Sequence, residues 1–118
     1  MMVRTAEELV NEEVAGGARA MRQVLLGPQD SPNFAIRRFA MKPGGGMPLH
    51  TNTVEHGQYV LRGRASVRIG EEEVEVAEGD SVFIPPDVPH SYRVEGDETF
   101  EFICVVPNGP DTIELVDC

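Results

Sequence analysis

Gly44-Gly45-Gly46-Met47-Pro48-Leu49-His50-Thr51-Asn52-Thr53-Val54-Glu55-His56 and, further on, Gly79-Asp80-Ser81-Val82-Phe83-Ile84-Pro85-Pro86-Asp87-Val88-Pro89-His90 are the two stretches on which the reading of this chain turns. Each reads as a turn meeting a strand, and together they hold all three histidines of the sequence. Neutral imidazole is the commonest protein ligand for a divalent transition metal. Side chains alternate along an extended segment, so His50 and Asn52 share a face, as do His56, Gln58 and Val60, and again His90 and Tyr92. If those strands lie side by side, three imidazoles converge, and the Asn52 amide oxygen can join them. Three nitrogens with one weak or open position suit a catalytic metal site rather than a closed structural one. A lone histidine at a turn is ordinarily a surface residue. Three of them, each following a Gly/Pro turn and each beginning a strand, make that bland reading much weaker.

Working outward, segments rich in Val, Ile, Phe and Tyr recur between Gly, Pro, Asp and Asn clusters. Strands are expected near 22–26, 34–42, 48–52, 56–62, 65–70, 73–77, 81–84, 90–94, 99–106 and 112–116. About ten short strands with turns every eight to twelve residues point to an all-β sandwich or barrel. Ahead of them, residues 5–14 read as a short helix, with Thr5 and Glu8 at capping-box spacing and Gly16-Gly17 as its stop. The organisation expected is an N-terminal arm with that helix over 1–20 and one barrel domain over 21–118. Phe34, Phe39, Phe83, Phe100 and Phe102 are expected in the core, and Met41, Met47, Tyr59 and Tyr92 are expected to shape the pocket.

Composition narrows the function. The chain has 118 residues, enough for a core without disulfides or a structural metal. Ten basic against twenty acidic residues give a net charge of −10, which disfavours nucleic acid and anionic membrane surfaces as partners. The same excess would repel a strongly anionic substrate at long range. No apolar run approaches the ~20 residues of a membrane span. Cys104 and Cys118 are too few for a disulfide framework, and acidic residues stand where a signal peptide would be apolar, so a reducing cytoplasm is expected.

The spacing of the two stretches resembles the paired motifs of the cupins, small conserved-barrel members in particular. Gly44, five residues, His50-Thr51-Asn52, three residues, His56, six residues and Gly63 follow the first motif over 44–63. Gly79, five residues, Pro85-Pro86-Asp87, two residues, His90, three residues and Val94 follow the second over 79–94, after a gap of 15 residues. The resemblance implies a double-stranded β-helix, or jelly roll, and a divalent metal held by residues at positions 50, 52, 56 and 90. It is nearest a subgroup of small bacterial and archaeal cupins in which four histidines hold manganese or iron, one replacing the motif glutamate. His56 fits that subgroup. Asn52, where a histidine would stand, departs from it, since an amide oxygen is a harder and weaker ligand than imidazole. Asp87 replaces the motif glycine and Val94 its asparagine.

The expected ligand set is therefore His50, Asn52, His56 and His90, with iron or manganese foremost and nickel, copper, zinc and cobalt compatible with the ligand types. Gln58 and Tyr92 are pocket candidates, able to hydrogen-bond a substrate or a metal-bound oxygen; barrel packing is the alternative for Tyr92. Cys104 shares a face with Phe100 and Phe102 and reads first as a small buried apolar residue. A cysteine lies near the metal in similar cupins, which makes it a pocket candidate too. Glu55 reads as an exposed carboxylate, or else as a partner for an imidazole N–H. The function these residues suggest is a metal-dependent dioxygenase acting on a small organic molecule. A non-catalytic binding or regulatory module and a metal-dependent isomerase or lyase are the alternatives. A homodimer is expected, since small cupins often pair and a strand at 22–26 would otherwise leave an open edge.

Overall fold

A computed structural model describes residues 1–116; Asp117 and Cys118, and with Cys118 the expectation placed on it, lie outside the described residues. A single 3-10 turn, Ala6–Glu8, is followed by β1 (Glu12–Glu13), β2 (Ala18–Leu26), β3 (Phe34–Asn52), β4 (His56–Arg62) and β5 (Arg64–Ile69). The chain continues through β6 (Glu72–Ala77), β7 (Ser81–Ile84), β8 (His90–Glu95), β9 (Phe100–Pro107) and β10 (Ile113–Leu115). All pairings are antiparallel. The curled sheet is the all-β jelly roll expected.

One strand holds the two halves together. β3 is 19 residues long. Its first half pairs with β9, Phe34 opposite Pro107 through Met41 opposite Phe100, in the order β2-β3-β9-β4-β7. Its second half pairs with β8 and β10, so that His50 faces His90 on one side and Leu115 on the other. The crossing is tight at Gly45 and Gly46. A side chain at Gly46 would collide with the Tyr92 carbonyl, and one at Gly45 with the carbonyl of Ala18. Glycine here serves close backbone approach, not a turn. That is why two expected strands, 34–42 and 48–52, are one: the Pro43–Gly46 run reads as a break but is the bend of a continuous strand.

The core follows period-two alternation. Phe100, Phe102, Cys104 and Val106 of β9 are buried together with Val60, Ala65, Val67, Met41 and Ile84. Phe39 stacks on Phe102 at 5.1 Å between ring centres, and Tyr92 stacks on Phe102 from another strand at 5.4 Å. Two expected core residues are not there. Phe83 is 59% exposed and Phe34 is 41% exposed, because Val82 and Ile84, and likewise Ala35, hold the inward phase of those strands. Tyr59 also faces out, at 50% exposure, and does not line the cleft that Met41, Met47 and Tyr92 shape. The N-terminal helix is shorter than the 5–14 segment. Thr5 Oγ1 reaches the Glu8 carboxylate at 3.1 Å instead of capping backbone N–H groups, and Glu12–Glu13 leaves as a strand against Met21 and Arg22. Among the described residues, no helix is long and apolar enough to cross a membrane.

Candidate functional site

His50 and Asn52 come from the end of β3, His56 from the start of β4 and His90 from the start of β8. Backbone contacts bring the three strand ends together. The Asp87 N–H donates to the Asn52 carbonyl at 2.7 Å, and the Gly70 N–H to the Pro89 carbonyl at 2.8 Å, so the Pro85–Pro89 loop is pinned against β3 just before His90. Asp87 has φ 65, the left-handed conformation that a glycine would otherwise supply and that aspartate tolerates better than most residues. The departure from the motif glycine thus keeps the motif's backbone.

All four side chains are buried: His50 is 6% exposed, Asn52 5%, His56 6% and His90 1%. Ring centres are 4.1 Å apart for His50 and His90, and 5.9 Å for His56 and His90. Among the described residues, no three His, Cys, Asp or Glu side chains form a ready-made cation site. The rings are neighbours without being drawn in around one point.

The hydrogen bonds decide which atoms face the cluster. His50 Nδ1 donates to the Pro48 carbonyl at 2.8 Å, and His90 Nδ1 to the Val88 carbonyl at 2.9 Å. A carbonyl only accepts, so both rings carry their proton on Nδ1 and keep a lone pair on Nε2. Asn52 Nδ2 donates to Asp111 at 3.2 Å, which leaves Oδ1 as the free end of that amide. Asn52 Oδ1, His56 Nε2 and His90 Nε2 are buried with no hydrogen-bond partner. Stranded polar atoms of this kind cost about 1–3 kcal/mol each. Burial also holds the imidazoles neutral: it lowers the pKa of His56 and of His90 to about 4, and that of His50 in the same direction. For His56 the Arg37 and His90 charges add to the effect. Neutral lone pairs, a free amide oxygen and buried surroundings suit a divalent cation. Imidazoles sharing an ion at about 2.1 Å have ring centres about 4.5–6 Å apart; the His56–His90 separation falls in that range and the His50–His90 separation just short of it.

Beyond the cluster, the cleft holds about 490 Å³ of free space including its mouth, and its walls include Phe39, Met41, Met47, Tyr92, Phe102 and Ile113. Gln58 Nε2 donates to the Tyr92 hydroxyl at 2.7 Å. Burial pushes the Tyr92 pKa up, so the hydroxyl stays protonated, and among the described residues its proton is committed to no acceptor. Cys104 is fully buried behind Gln58 and Arg37, its sulfur 3.9 Å from a nitrogen of each, and burial pushes its thiol pKa up. Glu55 is exposed.

Three residues of this site escaped the sequence reading. Asp111 accepts from the Thr53 N–H at 2.9 Å, the Thr53 hydroxyl at 3.0 Å and Asn52. Burial opposes its ionisation, but these hydrogen bonds prevail and hold the carboxyl below its usual pKa. Arg22 and Arg37 line the cleft from β2 and β3. Arg37 had a signal in the sequence: it shares the inward phase of β3 with Ala35, Phe39 and Met41.

Residues 37–106 match the model of a cupin domain family. Among curated proteins, the chain is 30% identical over 104 residues to the 1-methylthio-D-xylulose 5-phosphate methylsulfurylase of Rhodospirillum rubrum, covering 88% of this chain and 67% of that one. Among solved structures it is similar to the polyketide cyclase RemF of Streptomyces resistomycificus, with TM-score 0.88 and 27% identity over 100% of this chain and 87% of that one. A cupin-2 domain protein of Rhodospirillum rubrum gives TM-score 0.83 and 30% identity, over 99% and 80% of the two chains.

Proposed function

The chain belongs to the cupin domain family, and from that premise we propose that it is a divalent-metal-binding enzyme acting on a small carbonyl compound. His50, His56 and His90 would hold the ion, with Asn52 Oδ1 as the weaker fourth ligand. The observation that carries this reading is the set of stranded polar atoms on Asn52, His56 and His90 in one buried cluster. The bound ion would supply Lewis acidity toward a substrate oxygen. The chain's own part is to place that oxygen: Gln58 fixes the Tyr92 hydroxyl, whose free proton is left to donate, and the aromatic and methionine walls exclude water. The names of the two relatives support a carbonyl substrate, since a polyketide and a xylulose phosphate both carry ketones.

An iron- or manganese-dependent dioxygenase is the second reading. It is favoured because, among the described residues, the cleft-lining side chains include no carboxylate and Asp111 is engaged with Thr53 and Asn52, whereas a carbonyl reaction would need a base that oxygen chemistry does not. Elemental analysis of untagged protein tests both: about one transition-metal ion per chain is expected, and none in His90→Ala. A wild type without metal would sink the metal-dependent function. Oxygen uptake with a diketone panel would then separate the two chemistries.

A homodimer in the cytoplasm completes the proposal. Phe83 and Val105 flank Gly57 on the outer face of β7, β4 and β9, beside Tyr59, and leave an exposed apolar patch. The buried free thiol of Cys104 fits a reducing compartment. A species of 12.9 kDa on sizing would contradict the dimer.

A further inference from the structure

The β2–β3 side of the cleft, level with Gln58 and Cys104, is cationic. Arg37 is half-buried there and, among the described residues, has no ion-pair partner; its Cζ lies 5.3 Å from the centre of the Phe39 ring, and one of its terminal nitrogens is 3.9 Å from the Cys104 sulfur. Its Nε is buried without a partner. Arg22, opposite Phe39 in the β2–β3 register and so diagonal to Arg37, pairs with Glu12 at 2.8 Å, yet its Nε is stranded in the same way. Among the described residues, the lining of the cleft includes no carboxylate, and Asp111, behind Asn52, is engaged with Thr53 and Asn52. A desolvated guanidinium N–H without an acceptor is costly, and two stranded Nε groups around one apolar space are met economically by an oxyanion, which guanidinium binds bidentately.

We propose that Arg37, assisted by Arg22, is an oxyanion receptor that selects a carboxylate- or phosphate-bearing ligand with an apolar body. This rests on the cleft being the substrate pocket, as in the proposed function, but not on the ion. It also reverses, within the pocket, the repulsion expected from the net charge of −10: at contact distance two local cations outweigh a dispersed acidic surface screened by salt.

The test is ligand-observed NMR on the full chain as purified, with metal content measured on the same samples. The probes are para-fluorobenzoate against para-fluorobenzamide, and phenyl phosphate against inorganic phosphate. Wild type is expected to prefer the benzoate to its neutral amide by about tenfold or more. Arg37→Met is expected to abolish that preference, with amide binding and metal content unchanged, and Arg37→Lys to keep part of it. A melting temperature close to wild type confirms folding. If Arg37→Met does not fold, Arg22→Met and Arg37→Lys carry the same comparison. Tighter binding of phenyl phosphate than of benzoate assigns a phosphate ester. Failure of every anion to bind, equal binding of acid and amide, or a preference that survives in folded Arg37→Met overturns the inference. A metal-free wild type that still prefers the anion would sink the metal reading and leave this one standing.

Discussion

The two ends of one cleft make opposite demands. At the strand-end cluster, His90 and Asn52 present buried acceptors with nothing to accept from, His56 Nε2 is unpartnered beside them, and the imidazoles are held neutral. At the β2–β3 end, Arg22 and Arg37 present buried donors with nothing to donate to. Each set is costly alone, and no hydrogen bond between them relieves either, although Arg37, level with Gln58 across β9, lies close enough for its charge to act on His56. Such a cleft is complementary to a bipartite occupant, a cation at one end and an oxyanion at the other. The lesson is that unsatisfied groups of opposite kind, read together, say more about a ligand than either cluster does alone.

The largest effect is expected where the two ends share their support. Phe102 stacks on Phe39 and on Tyr92, and it also contacts Phe100 with ring centres at 5.3 Å. Phe102→Ala should cost about 3–5 kcal/mol in urea unfolding and weaken metal and benzoate binding together. Loss of only one of the two would show that the ends do not share a floor.

Next comes acid. The folded-state pKa of His56 and of His90, lowered to about 4, lies below the ordinary 6.5. The unfolded chain therefore takes up protons first as pH falls from 6.5, and the folded state loses stability until both groups protonate near 4. Each histidine is worth about 3 kcal/mol by linkage, less where the two couple. Unfolding of metal-free protein across this window should show the slope. His90→Gln should flatten it most, and Arg37→Met only in part, since the Arg37 charge adds to the lowering at His56 alone.

How much of this was open to sequence reading differs between the ends. Period two put His50, Asn52, His56, Gln58, His90 and Tyr92 on inward faces, and all are buried. The same rule turns Phe34 and Phe83 outward; their hydrophobicity predicts burial, but strand phase decides and both are exposed. Arg37 was in phase with Phe39 and Met41, and an arginine on the inward face of a strand is itself a signal of function. The bend at Gly45–Gly46 was not legible, because a glycine run looks alike whether it turns or is merely approached closely by the Ala18 and Tyr92 backbone. Asp111 was beyond local reading altogether, since it meets Asn52 across 59 residues of sequence.

That contact gives the smallest and most selective prediction. The Asp111 carboxylate accepts from the Thr53 backbone and hydroxyl through one oxygen and from Asn52 Nδ2 through the other. Asp111→Asn keeps the shape but turns one acceptor into a donor. Either Thr53 or Asn52 then meets an N–H instead of an oxygen, and the Asn52 amide is no longer held with Oδ1 toward the histidines. Asp111 acts through Asn52, so it is a positioning residue. Substitutions behind a metal ligand typically cost about 10–100-fold in affinity, and Asn52 is the weakest of the four proposed ligands, so about tenfold is expected here by competition with a metal-sensing dye. Affinity for para-fluorobenzoate should hold, because Arg37 does not touch this network. A fall in both affinities would mean that Asp111 supports the whole cleft mouth, and an unchanged metal affinity would remove Asn52 from the ligand set.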